Sequence, residues 1–300
     1  MPSRVGLGPR AVTVAWGGLL VLVALLPMGL RAQGQNNMDD VRIVAHPVRG
    51  GVYYLQGQGG NIGLSIGEDG VVMIDDQFAP LTERILAAIR QLSDGEIRFV
   101  INTHVHGDHT GGNENLGRMG LLILARDEVR VRLAASAPED ALPVLTYSDA
   151  ITIHLNGGEV YAAPLPPAHT DGDSYIHFRA DDVIHTGDVY RTTGFPFIDR
   201  ANGGTLEGTI QTLAILAGLG GPNTLYVPGH GEVSRREDVV AFRDMVMEVK
   251  DRVVPLVRDG ATLEQVLAAG TTAEYEEKWG DPVRFLTAVY EELGGGAPAN

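Results

Sequence analysis

Thr103-His104-Val105-His106-Gly107-Asp108-His109-Thr110-Gly111-Gly112 packs three histidines and one aspartate into six positions. At the end of a strand His104 and His106 share a face, because side chains alternate with a period of two. Asp108 and His109 then lie where the chain turns toward a helix. Imidazole nitrogens and a carboxylate at these spacings suit Zn²⁺, and a carboxylate between imidazoles also admits iron or manganese. A lone histidine is usually a packing residue. Four potential ligands in six positions, in a chain with nine histidines, favour a metal site over a polar loop. The chain has no cysteine, which excludes disulfides, thiol catalysis, iron–sulfur clusters and thiolate zinc sites.

The elements around this stretch are readable from pattern. Val41–Val48, Gly51–Gln56, Gly63–Ile66 and Val71–Ile74 are short β-branched runs separated by glycine, and read as strands. Pro80 stands where a helix starts, with Leu81, Ile85, Ala88 and Leu92 as its apolar face. Ile97–Ile101 is a strand leading into a polar loop at Asn102–Asn113. Leu121–Leu124 is predicted as a strand, Asp127–Ala135 as a helix and Ala137–Thr146 as a loop. Ala150–Leu155, Glu159–Ala163, Ser174–Phe178, Val183–His185 and Leu225–Val227 read as strands. Leu206, Ile210, Leu213 and Ala217 mark a helix. Val239 to Val253 mark a longer one, expected to stop or kink near Pro255. Helices follow at Leu263–Ala268 and Pro282–Leu293. Strands then a helix, twice over, predict an α/β fold with two sheets packed together and helices outside.

The 300 residues carry 38 acidic and 23 basic side chains, a formal charge of −15. That balance argues against nucleic-acid partners, which need a basic stripe, and against an anionic membrane surface. A small-molecule substrate is expected; oligomeric state is not readable. Arg4 and Arg10 precede Ala11–Leu26, sixteen uncharged residues. Pro27 and Gly29 then break the run, and Ala32 suits a cleavage site. Residues 1–32 therefore read as a secretory signal peptide. The other reading is an uncleaved anchor, although the run falls short of the ~20 residues a spanning helix wants. Residues 33–40 are expected to be a flexible leader and 41–293 one domain, with C-terminal helices from about residue 235 and a disordered tail at 294–300. The expected location is periplasmic or secreted.

His-x-His-x-Asp-His resembles the signature of the metallo-β-lactamase superfamily, and the resemblance extends along nearly all of the chain after residue 40. It implies a four-layer αββα sandwich of two mixed sheets. It also implies a third histidine at His169, in Pro167-Ala168-His169-Thr170-Asp171-Gly172-Asp173-Ser174. An aspartate after a strand is matched by Asp188, and a last histidine by His230 in Pro228-Gly229-His230-Gly231. Carried over, His104, His106 and His169 would hold one metal and Asp108, His109 and His230 a second, with Asp188 bridging. Many true lactamases have cysteine or serine at that last place, so Asp188 is the main departure from the lactamase pattern.

Two divalent ions would lower the pKa of a shared water, giving a hydroxide that attacks a carbonyl. Asp108 can orient it and move a proton. No side-chain nucleophile is needed. The best-fitting activity is a dizinc hydrolase opening an amide or ester, first a β-lactam ring, then a lactone or other small ester or thioester. An iron protein of sulfur or quinone metabolism on the same scaffold is the alternative of another class. Among other residues, Asp75 either supports the histidine loop, as in the family, or caps a helix. Thr110 is expected to cap the helix after the motif. Arg191 is a candidate for pairing with a substrate carboxylate, and Asn202 for donating to an oxyanion. Tyr190, Phe195 and Phe197 are a candidate wall, and Gly57–Asn61 a mobile substrate flap. Thr170, Ser174 and His185 are expected beside the ligands; His46, His154 and His177 read as packing or surface residues.

Overall fold

Val71, Val72, Met73 and Ile74 are all apolar because both faces of their strand are covered, and all four are fully buried. Val72 and Ile74 face the other sheet, while Val71 and Met73 face a helix. That alternation organises the protein, seen here as a computed structural model describing residues 1–3, 6 and 38–295. The expected signal segment, most of the leader and residues 296–300 lie outside the described residues.

The first sheet has seven strands side by side in chain order: β1 (Val44–Arg49), β2 (Val52–Gln56), β3 (Ile62–Gly67), β4 (Gly70–Ile74), β5 (Ile97–Ile101), β6 (Ile123–Arg126) and β7 (Leu145–Tyr147). Pairing is antiparallel from β1 to β4 and parallel from β4 to β7. The second sheet contains β8 (Ile151–Leu155), β9 (Gly158–Pro164), β10 (Ser174–Phe178), β11 (Val183–His185), β12 (Leu225–Val227) and β13 (Ser234–Arg235), again in chain order across the sheet. Only β11 and β12 run parallel there.

Three apolar layers hold the stack. Val52, Tyr54, Ile101 and Leu124 meet Val160, Ile176, Phe178 and Val227 between the sheets. Helix α1 (Thr82–Leu92) puts Ile85, Leu86 and Ile89 on the outer face of the first sheet. Four helices, α5 (Leu206–Leu219), α6 (Arg236–Arg258), α7 (Leu263–Ala268) and α9 (Val283–Glu292), cover the second with Leu213, Phe242, Val249, Val266 and Phe285. This is the αββα sandwich of two mixed sheets.

Several local expectations are corrected. The loop at 102–113 contains a single-turn helix α2 (Gly107–Thr110), and α3 (Asn113–Arg118) follows. Thr110 therefore ends a helix; its hydroxyl donates to the carbonyls of Val105 and His106 rather than capping the next helix. The expected loop to Thr146 yields a short edge strand, β7, and β13 and α8 (Glu276–Trp279) are too short to show a period. Helix α6 runs a turn beyond Pro255, since a proline there removes one donor near the helix end. The terminal carbonyls are taken up by the amides of Asp259, Gly260 and Ala261. Met38–Asp40, at the end of the expected leader, form a 3₁₀ turn whose Met38 packs on the core and whose carbonyl accepts from Arg84. Gly294 and Gly295, at the start of the expected tail, bond back to Glu291 and Tyr290. No helix among the described residues is long and apolar enough to cross a membrane.

Candidate metal centre

All the chemistry-bearing side chains sit at strand ends on one edge of the sandwich. Asp75 follows β4, and His104, His106, Asp108 and His109 follow β5. His169 lies in the β9–β10 connection, Asp188 just after β11 and His230 just after β12. The paired ends are in register, Ile74 with Ile101 and His185 with Val227, so separate stretches of chain converge on one place. Among the described residues, three groups offer ligand atoms within 4.8 Å of one another: His104, His106 and His169; His104, His109 and Asp188; and Asp108, His109 and His230.

Four imidazoles are fixed from behind. His106 Nε2 donates to Asp199 Oδ2 at 2.7 Å. His169 Nδ1 donates to the Phe197 carbonyl at 2.5 Å. His109 Nδ1 donates to Asp75 Oδ2 at 2.7 Å. Thr103 Oγ1 gives its proton to the same Asp75 oxygen at 2.8 Å, and so accepts from His104 Nδ1 at 3.0 Å. A ring that donates through one nitrogen presents a bare lone pair at the other. These partners thus assign the inward atoms: His104 Nε2, His106 Nδ1, His109 Nε2 and His169 Nε2.

The inward atoms test whether the residues suit a metal. His106 Nδ1 and His169 Nε2 stand 2.8 Å apart, and two lone pairs at that distance repel unless a cation or proton lies between them. His104 Nε2, His109 Nε2 and Asp188 Oδ1 are buried without a hydrogen-bond partner. Such orphans are costly, and His109 Nε2 stands 3.1 Å from Asp188 Oδ1 without hydrogen-bond alignment. Asp188 Oδ2 lies 3.2 Å from His230 Nε2 and 3.7 Å from His169 Nε2, placing it between the two ends of the cluster. Asp108 Oδ2 lies 3.2 Å from His230 Nε2. A nitrogen and carboxylate set without sulfur fits zinc, iron or manganese.

Charge follows the same division. Burial drives His104 and His169 below the ordinary imidazole value. Burial acts the same way on His109, but the charges of Asp188 and Asp75 outweigh it and raise that ring well above the ordinary value. His230 is raised too, since hydrogen bonds with Asp108 and Asp188 overcome its burial. Burial works upward on Asp188, yet His109 and His230 hold it well below the usual carboxylate range. Asp108 is also lowered against its burial, by His230 and His109. The field of these carboxylates favours a cation at the centre.

The supporting loops demand close approach. Gly60 donates its amide to the Asp108 carbonyl at 3.1 Å, and a Cβ on it would come 2.1 Å from His109 Cε1. A Cβ on Gly229 would come 1.9 Å from Asp188 Oδ1. The Gly57–Asn61 segment, expected to be a mobile flap, is thus anchored at its far end. Asn61 Nδ2 donates to the carbonyls of Pro228 and Gly231, and Gln77 Nε2 to that of Gly60. Asp75 takes the supporting role, accepting from the Thr103 amide, Thr103 Oγ1 and His109. Asp173 orders the other histidine loop, accepting from the amides of His169 and Thr170 and from Thr170 Oγ1. Ser174 Oγ accepts from Tyr147, and His185 bridges the Asn61 carbonyl and the Gly187 amide beside Asp188.

Arg191 lies outside this cluster. Its Nε donates to Thr193 O in its own loop, and it lines a cavity of about 220 Å³ with Glu232, Lys278 and Trp279. Asn202 is engaged with neighbours: its Nδ2 donates to Asp199 Oδ2 at 2.7 Å and its Oδ1 accepts from Arg132 at 3.0 Å. Tyr190 and Phe195 are buried in the helical layer. Phe197 stacks on His106 at 5.7 Å between ring centres. Gly63-Leu64-Ser65-Ile66-Gly67 spells Gly-x-Ser-x-Gly. It lies wholly within β3, with Ser65 paired to Val52 and Val72, and not at the strand-to-helix turn such a nucleophile needs. Asp199, for which no role was expected, holds His106, and Phe197 acts on His169 through its backbone carbonyl as well as lying beside it as a ring.

A family model described as the metallo-beta-lactamase superfamily matches residues 55–230. Among curated proteins, the lactamase-like protein aptB of Emericella nidulans is 26% identical over 212 residues, covering 68% of this chain and 60% of that protein. The hydroxyacylglutathione hydrolase of Nitrosococcus oceani is 32% identical over 122 residues, 36% of this chain and 45% of that protein. The chain thus spans about half the length of these relatives. Among solved structures, the sec-alkylsulfatase Pisa1 from Pseudomonas sp. aligns with a TM-score of 0.69 at 17% identity, over 86% of this chain and 52% of that one. A metallo-beta-lactamase from Pontibacter korlensis aligns with a TM-score of 0.62 at 15% identity, over 69% of this chain and 99% of that one. At such identities the structural likenesses speak for the fold.

Proposed function

The chain belongs to the metallo-beta-lactamase superfamily, and from that premise we propose that it is a dinuclear metallohydrolase opening an amide or ester bond in a small molecule, with a β-lactam ring as the leading substrate class. The observation that carries this reading is the convergence of four inward imidazole lone pairs with the carboxylates of Asp108 and Asp188. His104, His106 and His169 would hold one zinc, Asp108, His109 and His230 the other, and Asp188 both. Bound there, the ions supply Lewis-acid polarisation of the acyl oxygen and an acidified water. Asp108 is partly exposed and faces His230; it can accept the attacking water's proton and pass it to the leaving group. Asp75 and Asp199 keep the imidazoles in their ligating tautomers throughout.

A second reading, a lactone or thioester as substrate, rests on Asp188 itself, a carboxylate where many lactamases carry cysteine or serine. The matched hydroxyacylglutathione hydrolase lends it weight. On the sequence pattern at Ala11–Leu26 alone, we place the enzyme in the periplasm or outside the cell. A small molecule, and not nucleic acid, is its proposed partner. The test is hydrolysis by zinc-loaded protein of penicillins, cephalosporins, carbapenems and acyl-homoserine lactones, with the metal content measured in the same sample. Turnover of nitrocefin or a carbapenem supports the β-lactam reading, and turnover of lactones alone supports the second. Iron with no acyl hydrolysis overturns both, in favour of an iron protein on this scaffold.

A further inference from the structure

Arg132 lies on α4 (Asp127–Leu133), a helix that contributes no ligand. Its guanidinium nevertheless ends a continuous chain of hydrogen bonds leading to the metal centre. Nε and Nη2 make a forked contact with Asp171, at 2.6 Å to Oδ1 and 2.5 Å to Oδ2. Nη1 donates to Asn202 Oδ1 at 3.0 Å. Asn202 Nδ2 then donates to Asp199 Oδ2 at 2.7 Å, and that same oxygen accepts from His106 Nε2 at 2.7 Å.

The order of donors leaves little freedom. A guanidinium can only donate, so the atom of Asn202 facing it must be Oδ1. That turns Nδ2 toward Asp199 and supplies the carboxylate with a side-chain donor besides His106. The Asn202 amide adds a further donor at 3.2 Å to Asp199 Oδ1. The fork to Asp171 acts on the second loop. Asp171 is two residues from His169, and its amide donates to the Asn202 carbonyl at 2.9 Å. One guanidinium therefore ties the loop carrying His169 to the loop carrying Asp199, from a helix outside both.

We infer that Arg132 is a positioning residue for the metal centre, holding Asn202 and Asp171 so that His106 and His169 keep their inward nitrogens in place. The inference deepens the proposed function and rests on its metal reading. It also gives Asn202 the task of orienting Asp199. An ordinary partly exposed ion pair would affect folding stability slightly and metal binding not at all. Partners behind a metal ligand typically change affinity ten- to a hundredfold. Arg132 stands two bonds behind Asp199, so the lower end applies.

The test is the pair of stepwise zinc affinities of the full chain, measured by competition with a chromophoric chelator, for wild type, Arg132→Met, Arg132→Lys and Asn202→Leu. The step belonging to His104, His106 and His169 is identified as the one that His106→Ala removes. Arg132→Met keeps the aliphatic stem and loses the fork. It is expected to weaken that step about tenfold and leave the other within about twofold. Asn202→Leu should do the same, and combining the two should add nothing. Lysine can keep the tie to Asp171 but cannot also hold Asn202, so Arg132→Lys should recover melting temperature but only part of the affinity. Nitrogen-15 spectra should show the His106 Nε2 proton signal weakened in Arg132→Met and intact in Arg118→Met, a surface arginine elsewhere. Unchanged affinities in Arg132→Met, or equal losses at both steps, overturn the inference while the metal reading stands. A wild-type chain that takes up no zinc overturns the metal reading, and this inference with it.

Discussion

The two halves of the centre are built differently. In the half made by His104, His106 and His169, each ring is held from behind by a hydrogen bond, and burial makes His104 and His169 reluctant to take a proton. In the half made by Asp108, His109 and His230, His230 Nδ1 faces no hydrogen-bond partner among the described residues. Asp108 is 29% exposed there, and carboxylates raise both imidazoles. The first half is preorganised to receive a cation. The second is more open and holds protons more strongly. The first half should therefore bind metal more tightly, while the second supplies the acid–base group.

The largest effect is expected where the halves meet. Asp188→Asn weakens a group lying between both and should cut turnover by on the order of 10³, as losing a preorganised charge at a reacting centre does, with zinc affinity reduced at both steps. An effect on one step alone would break the division described here. Asp199→Asn acts behind His106 only and is expected to weaken the first step about ten- to a hundredfold, sparing the second, by chelator competition.

Acidity should separate the halves again. Zinc must displace any proton on its ligands. A raised imidazole pKa means that the proton persists to higher pH, so binding weakens as pH falls below that value. His109 and His230 are raised, whereas His104 and His169 are lowered. Between about pH 8 and about pH 6 the second step should therefore lose more affinity, by about tenfold per pH unit for each proton displaced. A steeper loss at the first step would reverse the comparison. The smallest effect belongs to Phe197→Leu. The ring covers His106 and His169 and carries the Arg284 guanidinium at 4.2 Å, but the carbonyl that holds His169 belongs to the backbone. Melting should register about 1 kcal/mol or less, and the zinc affinities should stay within about threefold.

Legibility in the sequence follows the same line. Four ligand-type residues lie within six positions, so His104, His106, Asp108 and His109 announce themselves. The layers were readable because β2 to β5 are apolar, β-branched runs set off by glycine or polar residues, and α1, α5 and α6 are long enough to show a face. Asp199 reaches His106 across 93 residues, and no local pattern records that contact. The Phe197 carbonyl is invisible in principle, since every residue has one. Gly60 looked like a mobility signal when it is a steric requirement of the His109 ring. The short elements β7, β13 and α8 contain too few residues to repeat a two- or 3.6-residue pattern.

The two-metal centre is tested by zinc stoichiometry, measured by elemental analysis after dialysis of the metal-loaded chain, for wild type and for the His104→Ala/His106→Ala variant. Two zinc ions per chain are expected in the wild type, and in the folded double variant loss of the tighter-bound ion together with hydrolytic activity. A wild type that holds no zinc, or a double variant with unchanged stoichiometry and turnover, would contradict the two-metal centre.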